Sequence, residues 1–183
     1  MKRIGVFCGS SKGGPAHYEA AAAELGSHLA ARGLGLVYGG GKIGLMGVVA
    51  DAALAGGGEV IGVIPDNLMK REIGHDHLSE LVVVDSMNER KLKMAELSDG
   101  FIALPGGLGT LDELFEMLTW SQLGLHAKPC GLLNLAGYYD PLLAFLERGE
   151  QEGFIKPEHR NLLLVRDEVE ALLNMMMENL ESA

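Results

Sequence analysis

Seven short apolar runs recur along this chain: "RIGVF", "LGLVY", "EVIGVIP", "LVVVD", "GFIAL", "PCGLLN" and "NLLLVR". Helix-like segments separate them. The runs are continuous rather than alternating, as strands of a parallel sheet are when both faces are buried. Strand and helix alternating from end to end predicts an α/β fold, a Rossmann-like doubly wound parallel sheet flanked by helices, with right-handed crossovers. Nothing in the composition marks a linker, so 1–183 reads as a single nucleotide-binding domain. One stretch, "DNLMKREIGHDHLSE", shows no clean period and is expected to be an irregular loop. In such sheets ligands bind beyond the carboxyl ends of the strands. That directs attention to residues 8–11, 39–44, 66–77, 85–87 and 105–110.

Charge narrows the partners. The formal net charge is −10 and the pI about 5.0, which argues against nucleic acid or an anionic membrane surface. A small anionic ligand stays open, because backbone dipoles and one or two Arg override net charge locally. No run approaches the roughly 20 apolar residues of a membrane helix. The apolar run in "MKRIGVFCGSS" is too short for a signal peptide. Cys8 and Cys130 each fall in or beside a buried strand, so both are expected as reduced core residues of a cytoplasmic protein.

The stretch "ALPGGLGTLDELFEM" carries the most chemistry. A strand end leads through "PGGLGT" into a helix. Gly106, Gly107 and Gly109 let backbone approach a ligand, and the N–H groups of Gly107, Gly109 and Thr110 at a helix start favour an anion. The loop is not a Walker A motif, because no Lys-Ser/Thr follows at that spacing. Glu113 then has two readings. Thr110-Leu111-Asp112-Glu113 has the Thr-x-x-Glu form of a capping box. Alternatively, a carboxylate beside a phosphate cradle addresses the neighbouring ribose, where cleavage of a glycosidic bond builds positive charge that a carboxylate stabilises. Glu116, one turn on, is either a second acid or a solvated side chain.

"SMNERK" opens another helix, with Ser86 and Glu89 at capping-box spacing. Met87, Arg90, Lys91 and Met94 fall on one face. Arg90 and Lys91 there either bind phosphate or carboxylate while Met87 packs on a base, or form a solvated face paired with Glu89 or Glu96. "YGGGKIGLMG" places Gly39, Gly41 and Gly44 in the G-x-G-x-x-G order, but no acid stands at the end of the next strand at the distance a dinucleotide site requires. Gly40 and Gly41 remain candidates for close approach to a nucleotide. His75 and His77 lack a third ligand at metal-site spacing, so no metal is expected.

Taken together, "VFCGSS", "LVYGGGKIGLMG", "VIGVIP", "MNERK", "LPGGLGTLDEL", "TWSQLG", "GLLN" and "GYYD" resemble the cytokinin riboside 5′-monophosphate phosphoribohydrolases, the Lonely guy family. The resemblance implies hydrolysis of the N-glycosidic bond of an adenine-type nucleoside 5′-monophosphate, AMP or N6-prenylated AMP, without a cofactor, by a homodimer or higher assembly. It implies Arg90 and Glu113 as the catalytic pair. It implies Glu72, Lys91, Gly107, Leu108, Gly109, Thr110, Leu111, Asp112 and Thr119 around the small-molecule substrate, to which the helix-face reading adds Met87. The chain departs from the family pattern at Asn88, where His is usual, and at Asp112, often Glu. Related proteins have been labelled lysine decarboxylases. No Lys here has the context of a pyridoxal phosphate Schiff base. The rival reading is a non-catalytic nucleotide- or cofactor-binding module of the same fold.

Overall fold

All seven runs become strands: β1 (Arg3–Phe7), β2 (Gly35–Tyr38), β3 (Val60–Pro65), β4 (Glu80–Val84), β5 (Gly100–Ala103), β6 (Cys130–Leu133) and β7 (Leu163–Arg166). A computed structural model describes residues 2–72, 75 and 77–181, and the side chains of all of these except 70–72, 180 and 181. The strands form one parallel sheet in the order β4-β3-β2-β1-β5-β6-β7. The chain walks outward from β1 to β4, then returns to the other side of β1. The order therefore reverses between β1 and β5, where Phe7 stands in register with Ala103.

The continuous apolar runs conceal a period of two. Leu36 and Tyr38 of β2 face one layer, with α1 (His17–Ala31), α2 (Gly44–Ala55) and α8 (Val169–Glu181). Val37 faces the other, where it joins Phe101, Met94 of α4 (Met87–Leu97) and Met117 of α5 (Leu108–Gln122). A third cluster, around Leu114, Tyr139 and Leu146, seats α6 (Asp140–Gln151). Cys8 and Cys130 are free thiols buried in these layers. Burial pushes the Cys130 thiol up to about 12, so it stays protonated at neutral pH. No described helix is long and apolar enough to cross a membrane.

The local structure departs from the sequence reading at three places. Residues 66–72 form a helix, α3 (Asp66–Glu72), where an irregular loop was expected. Seven residues are too few to display a 3.6-residue period, and the useful signal was Asp66 in the first turn. A four-residue helix, α7 (Pro157–Arg160), with Pro157 at its start, also escaped the periodicity reading. Third, α5 begins at Leu108 with Gly107 as its N-cap, and its first turn holds no acid. Thr110 is therefore inside the helix and Glu113 lies in the second turn. The capping-box reading of Glu113 fails. The box at Ser86 holds: its hydroxyl accepts from the Glu89 N–H at 3.2 Å, and the Glu89 carboxylate accepts from the Asp85 N–H at 2.8 Å.

Candidate active site

The topological reversal opens a cleft of about 270 Å³ between the β1 loop, α4 and the start of α5. The loops that bound it are tied to each other. Gly9 donates its N–H to Pro105 O at 3.1 Å, and its own carbonyl accepts from Leu45 N–H at 3.0 Å. The β5–α5 loop is compact because a Cβ at Gly106 would overlap the hydroxyl of Thr110, itself 3% exposed. The first turn of α5 then presents the N–H groups of Leu108, Gly109 and Thr110, which an α-helix cannot satisfy internally. Leu108 is 88% exposed, so this turn stands at the mouth rather than in the core.

Across the cleft, α4 delivers Arg90. Its side chain is 5% exposed, unusual for a guanidinium, and its Nη2 donates to Gly39 O at 2.9 Å. A Cβ at Gly39 would overlap that same Nη2. Gly39 is thus a glycine because the Arg90 head group lies against its backbone. Met87 Sδ lies 3.7 Å from Arg90 Nη1, and Met87 is itself 41% exposed toward the cleft.

Glu113 is half-buried and lines the same cleft with Asp112. Cys8, at the end of β1, reports both catalytic candidates. Its thiol is pushed well above the ordinary range, by burial first and by the Glu113 charge second, while Arg90 pulls the other way. Cationic and anionic groups from two helices thus converge on one buried thiol. An anion fits at the helix N-terminus and Arg90, and developing positive charge fits against the carboxylates.

The cleft unites Met87, Arg90, Gly107, Leu108, Gly109, Thr110, Asp112 and Glu113. Other expected residues lie elsewhere. Lys91 Nζ binds Asp112 Oδ2 at 3.1 Å and Glu116 Oε2 at 2.9 Å, tying α4 to α5 outside the lining. Burial alone would lower its pKa, but the bonds to Glu116 and Asp112 outweigh it and the net shift is upward. Glu116 is consequently an ion-pair partner rather than a solvated acid. Leu111 packs into the α6 cluster. Thr119 bonds Phe115 O at 2.7 Å and borders a separate hollow. Gly40 packs over Ile64 and Leu81, and neither it nor the buried Gly41 lines the cleft. The side chain of Glu72 lies outside the described residues. Among the described residues no group of three His, Cys, Asp or Glu is placed to hold a metal.

Sequence reasoning singled out the strand ends that include Cys8, Gly39 and Leu68, though without individual roles, and of the lining missed only Met46 of α2. It also gave no role to the "GYYD" tyrosines, whose hydroxyls reach the β5–α5 loop from behind. Adjacent tyrosines ahead of an Asp-Pro helix start were the available signal.

A family model described as "Possible lysine decarboxylase" matches residues 46–176. Among the described residues no lysine lines the cleft. Among solved structures, a molybdenum cofactor binding protein from Rippkaea orientalis is similar with a TM-score of 0.76 and 25% identity, covering 98% of this chain and 97% of that one. A Moco carrier protein from Chlamydomonas reinhardtii aligns at TM-score 0.74 and 23% identity, over 100% and 99% of the two chains, and speaks for the fold alone. Sequence relatives are nearer. The phosphoribohydrolase LOG1 of Arabidopsis thaliana is 54% identical over 90% of this chain and 77% of its own length. LOG3 of the same plant is 50% identical over 97% and 83%, and LOG of Oryza sativa subsp. japonica is 54% identical over 90% and 68%. At that identity over nearly its whole length, the chain belongs to the cytokinin riboside 5′-monophosphate phosphoribohydrolase family.

Proposed function

We propose that the protein hydrolyses the N-glycosidic bond of adenine-type nucleoside 5′-monophosphates, N6-prenylated AMP or AMP, to free base and ribose 5-phosphate. The observation that carries this reading is the meeting of a buried guanidinium and a helix N-terminus with two carboxylates in one cleft. The substrate phosphate sits on the first turn of α5, where free N–H groups and the helix dipole favour it. Arg90, held by Gly39 O, orients the nucleotide. Glu113, in the second turn of α5, faces the ribose. As the C1′–N bond breaks, its negative charge stabilises the oxocarbenium-like sugar or activates water. Water adds its oxygen to C1′, and the departing nitrogen takes a proton. Asp112 is held by Lys91 and supports the electrostatics of the same wall.

The expected homodimer is part of the proposal. Leu92 of α4, and Leu123 and Leu125 just beyond α5, are 51%, 65% and 69% exposed, large apolar side chains of the kind a second copy would cover. Sedimentation of the purified protein tests it. A cytoplasmic location suits the two free thiols.

The test is incubation with AMP and, separately, N6-isopentenyl-AMP, following base and ribose 5-phosphate by chromatography. Base from either supports the hydrolase. Bound AMP with no base released moves the protein to the non-catalytic binding class. Glu113→Gln is expected to lower turnover at least about a hundredfold with AMP binding retained, because shape and phosphate contacts survive. Wild-type turnover in that variant would remove Glu113 from the mechanism.

A further inference from the structure

The β5–α5 loop is a chain of glycines, and a glycine peptide flips easily because no Cβ resists it. A flipped Gly106–Gly107 peptide would turn a carbonyl oxygen, not an N–H, toward an anion. The structure contains a device that opposes this. Tyr138 donates its hydroxyl to Gly106 O at 2.7 Å, and Tyr139 donates its hydroxyl to Leu104 O, also at 2.7 Å. In a trans peptide the C=O and N–H point in opposite directions. With the Gly106 carbonyl taken by Tyr138 on one side, the Gly107 N–H is directed to the other. Two cavities flank this peptide. Tyr138 and Gly106 line a hollow of about 310 Å³ beside the cleft, while Gly107 lines both.

The tyrosines are themselves held. Tyr18 meets Tyr138 edge-on at 5.7 Å between ring centroids, and Tyr138 meets Tyr139 at 4.8 Å. The Tyr139 N–H donates to Asn134 Oδ1 at 2.7 Å, and Asn134 Nδ2 donates to Asp140 Oδ1 at 2.8 Å. Just before them Ala136 adopts φ +48°, a left-handed conformation that a non-glycine residue rarely takes. Strain of this kind persists where the surroundings over-determine a geometry. Here the turn delivers two consecutive hydroxyls to two carbonyls of one loop.

We propose that Tyr138 is a positioning residue for phosphate: its hydroxyl fixes the Gly106–Gly107 peptide with the N–H toward the cleft, and Tyr139 and Tyr18 hold that brace in place. The proposal rests on the reading of the cleft as a nucleoside monophosphate site. The experiment is Tyr138→Phe, with affinities for ribose 5-phosphate and for adenosine measured by calorimetry, and AMP turnover measured separately. The ring is 43% exposed and keeps its aromatic contacts, so the fold is expected to survive with a melting temperature lowered by no more than ~2–4 °C. Ribose 5-phosphate affinity should fall roughly five- to tenfold and the KM for AMP should rise in parallel, as for one lost hydrogen bond. Adenosine affinity should not change, which a merely structural role would not predict. Tyr139→Phe should weaken ribose 5-phosphate binding in the same sense. Equal ribose 5-phosphate affinity in wild type and Tyr138→Phe, equal losses for both ligands, or no ribose 5-phosphate binding by wild type would each overturn the proposal. A wild type that binds ribose 5-phosphate more tightly than the variant yet releases no base would leave the brace standing and remove the hydrolase reading.

Discussion

The two ends of the sheet solve opposite problems. At the amino end, polar groups are spent on each other. Asp99 accepts from the Lys2 and Arg3 N–H groups at 2.6 and 3.0 Å, its own N–H goes to Arg3 O, and Arg3 pairs with Glu59 at 2.7 Å. At the carboxyl end, the first turn of α5 projects N–H groups that its helix cannot use, and a guanidinium is kept from water beside two carboxylates. The amino end closes the fold. The carboxyl end retains polar capacity for something that is not protein. A parallel sheet makes this division natural, since helix N-termini follow the carboxyl ends of strands and collect there.

The comparison breaks most readily at Gly39. A Cβ there would overlap Arg90 Nη2, the mobile tip of a side chain, so the strain is relieved by displacing Arg90 rather than β2. Gly39→Ala is therefore expected to lower AMP turnover about a hundredfold, the scale of an ångström-size misplacement of a catalytic group. The melting temperature should change little. An active Gly39→Ala variant would show that the Arg90 geometry is not needed for turnover.

Lys91 sharpens the contrast within one helix. It follows Arg90 in sequence, yet about 100° of helical rotation separates the two side chains. One enters the cleft, and the other clasps Asp112 and Glu116. Lys91→Met is expected to lower turnover roughly three- to tenfold by loosening the turn that carries Glu113, with stability falling by about 0.5–1 kcal/mol. Adding Asp112→Asn should cost little more if holding Glu113 in place is what matters, because Lys91→Met has already removed the Lys91–Asp112 contact. Additive losses in turnover would instead place Lys91 and Asp112 in separate roles.

These residues also mark how far the sequence could be read. The inner strands were legible because burial on both faces leaves unbroken apolar runs, the edge strand β4 kept such a run with Val83 49% exposed, and the glycine loop was legible because only glycine permits that approach. Arg90 and Glu113 came from a family pattern, and the cleft brings them together. The start of α5 was misread because Thr-x-x-Glu imitates a cap, whereas Gly107 caps with no side chain at all. The Gly39–Arg90 contact spans 51 positions and exists only because α4, linking β4 to β5, crosses over β2 in the sheet. Tyr138 and Gly106 are 32 positions apart, and nothing local to either announces the other.

The smallest expected effect lies at the amino end. Burial alone would raise the Asp99 pKa, but the N–H bonds from Lys2 and Arg3 outweigh it and hold the carboxyl below its ordinary value. A carboxyl depressed on folding adds stability above its unfolded pKa, and that stability is lost as pH falls through the folded value. Asp99→Asn keeps an acceptor oxygen but not the charge. The expected loss at neutral pH is about 1 kcal/mol, or ~2–4 °C in melting temperature for a chain of this size. The gap between variant and wild type should then narrow on acidification below the ordinary carboxylate pKa, because wild type loses there what the variant already lacks. AMP turnover at neutral pH should be unchanged, since Asp99 sits at the strand ends opposite the cleft. A gap that stays constant into acid would mean that Asp99 acts through shape alone, and a fall in turnover would mean that the two ends of the sheet are coupled.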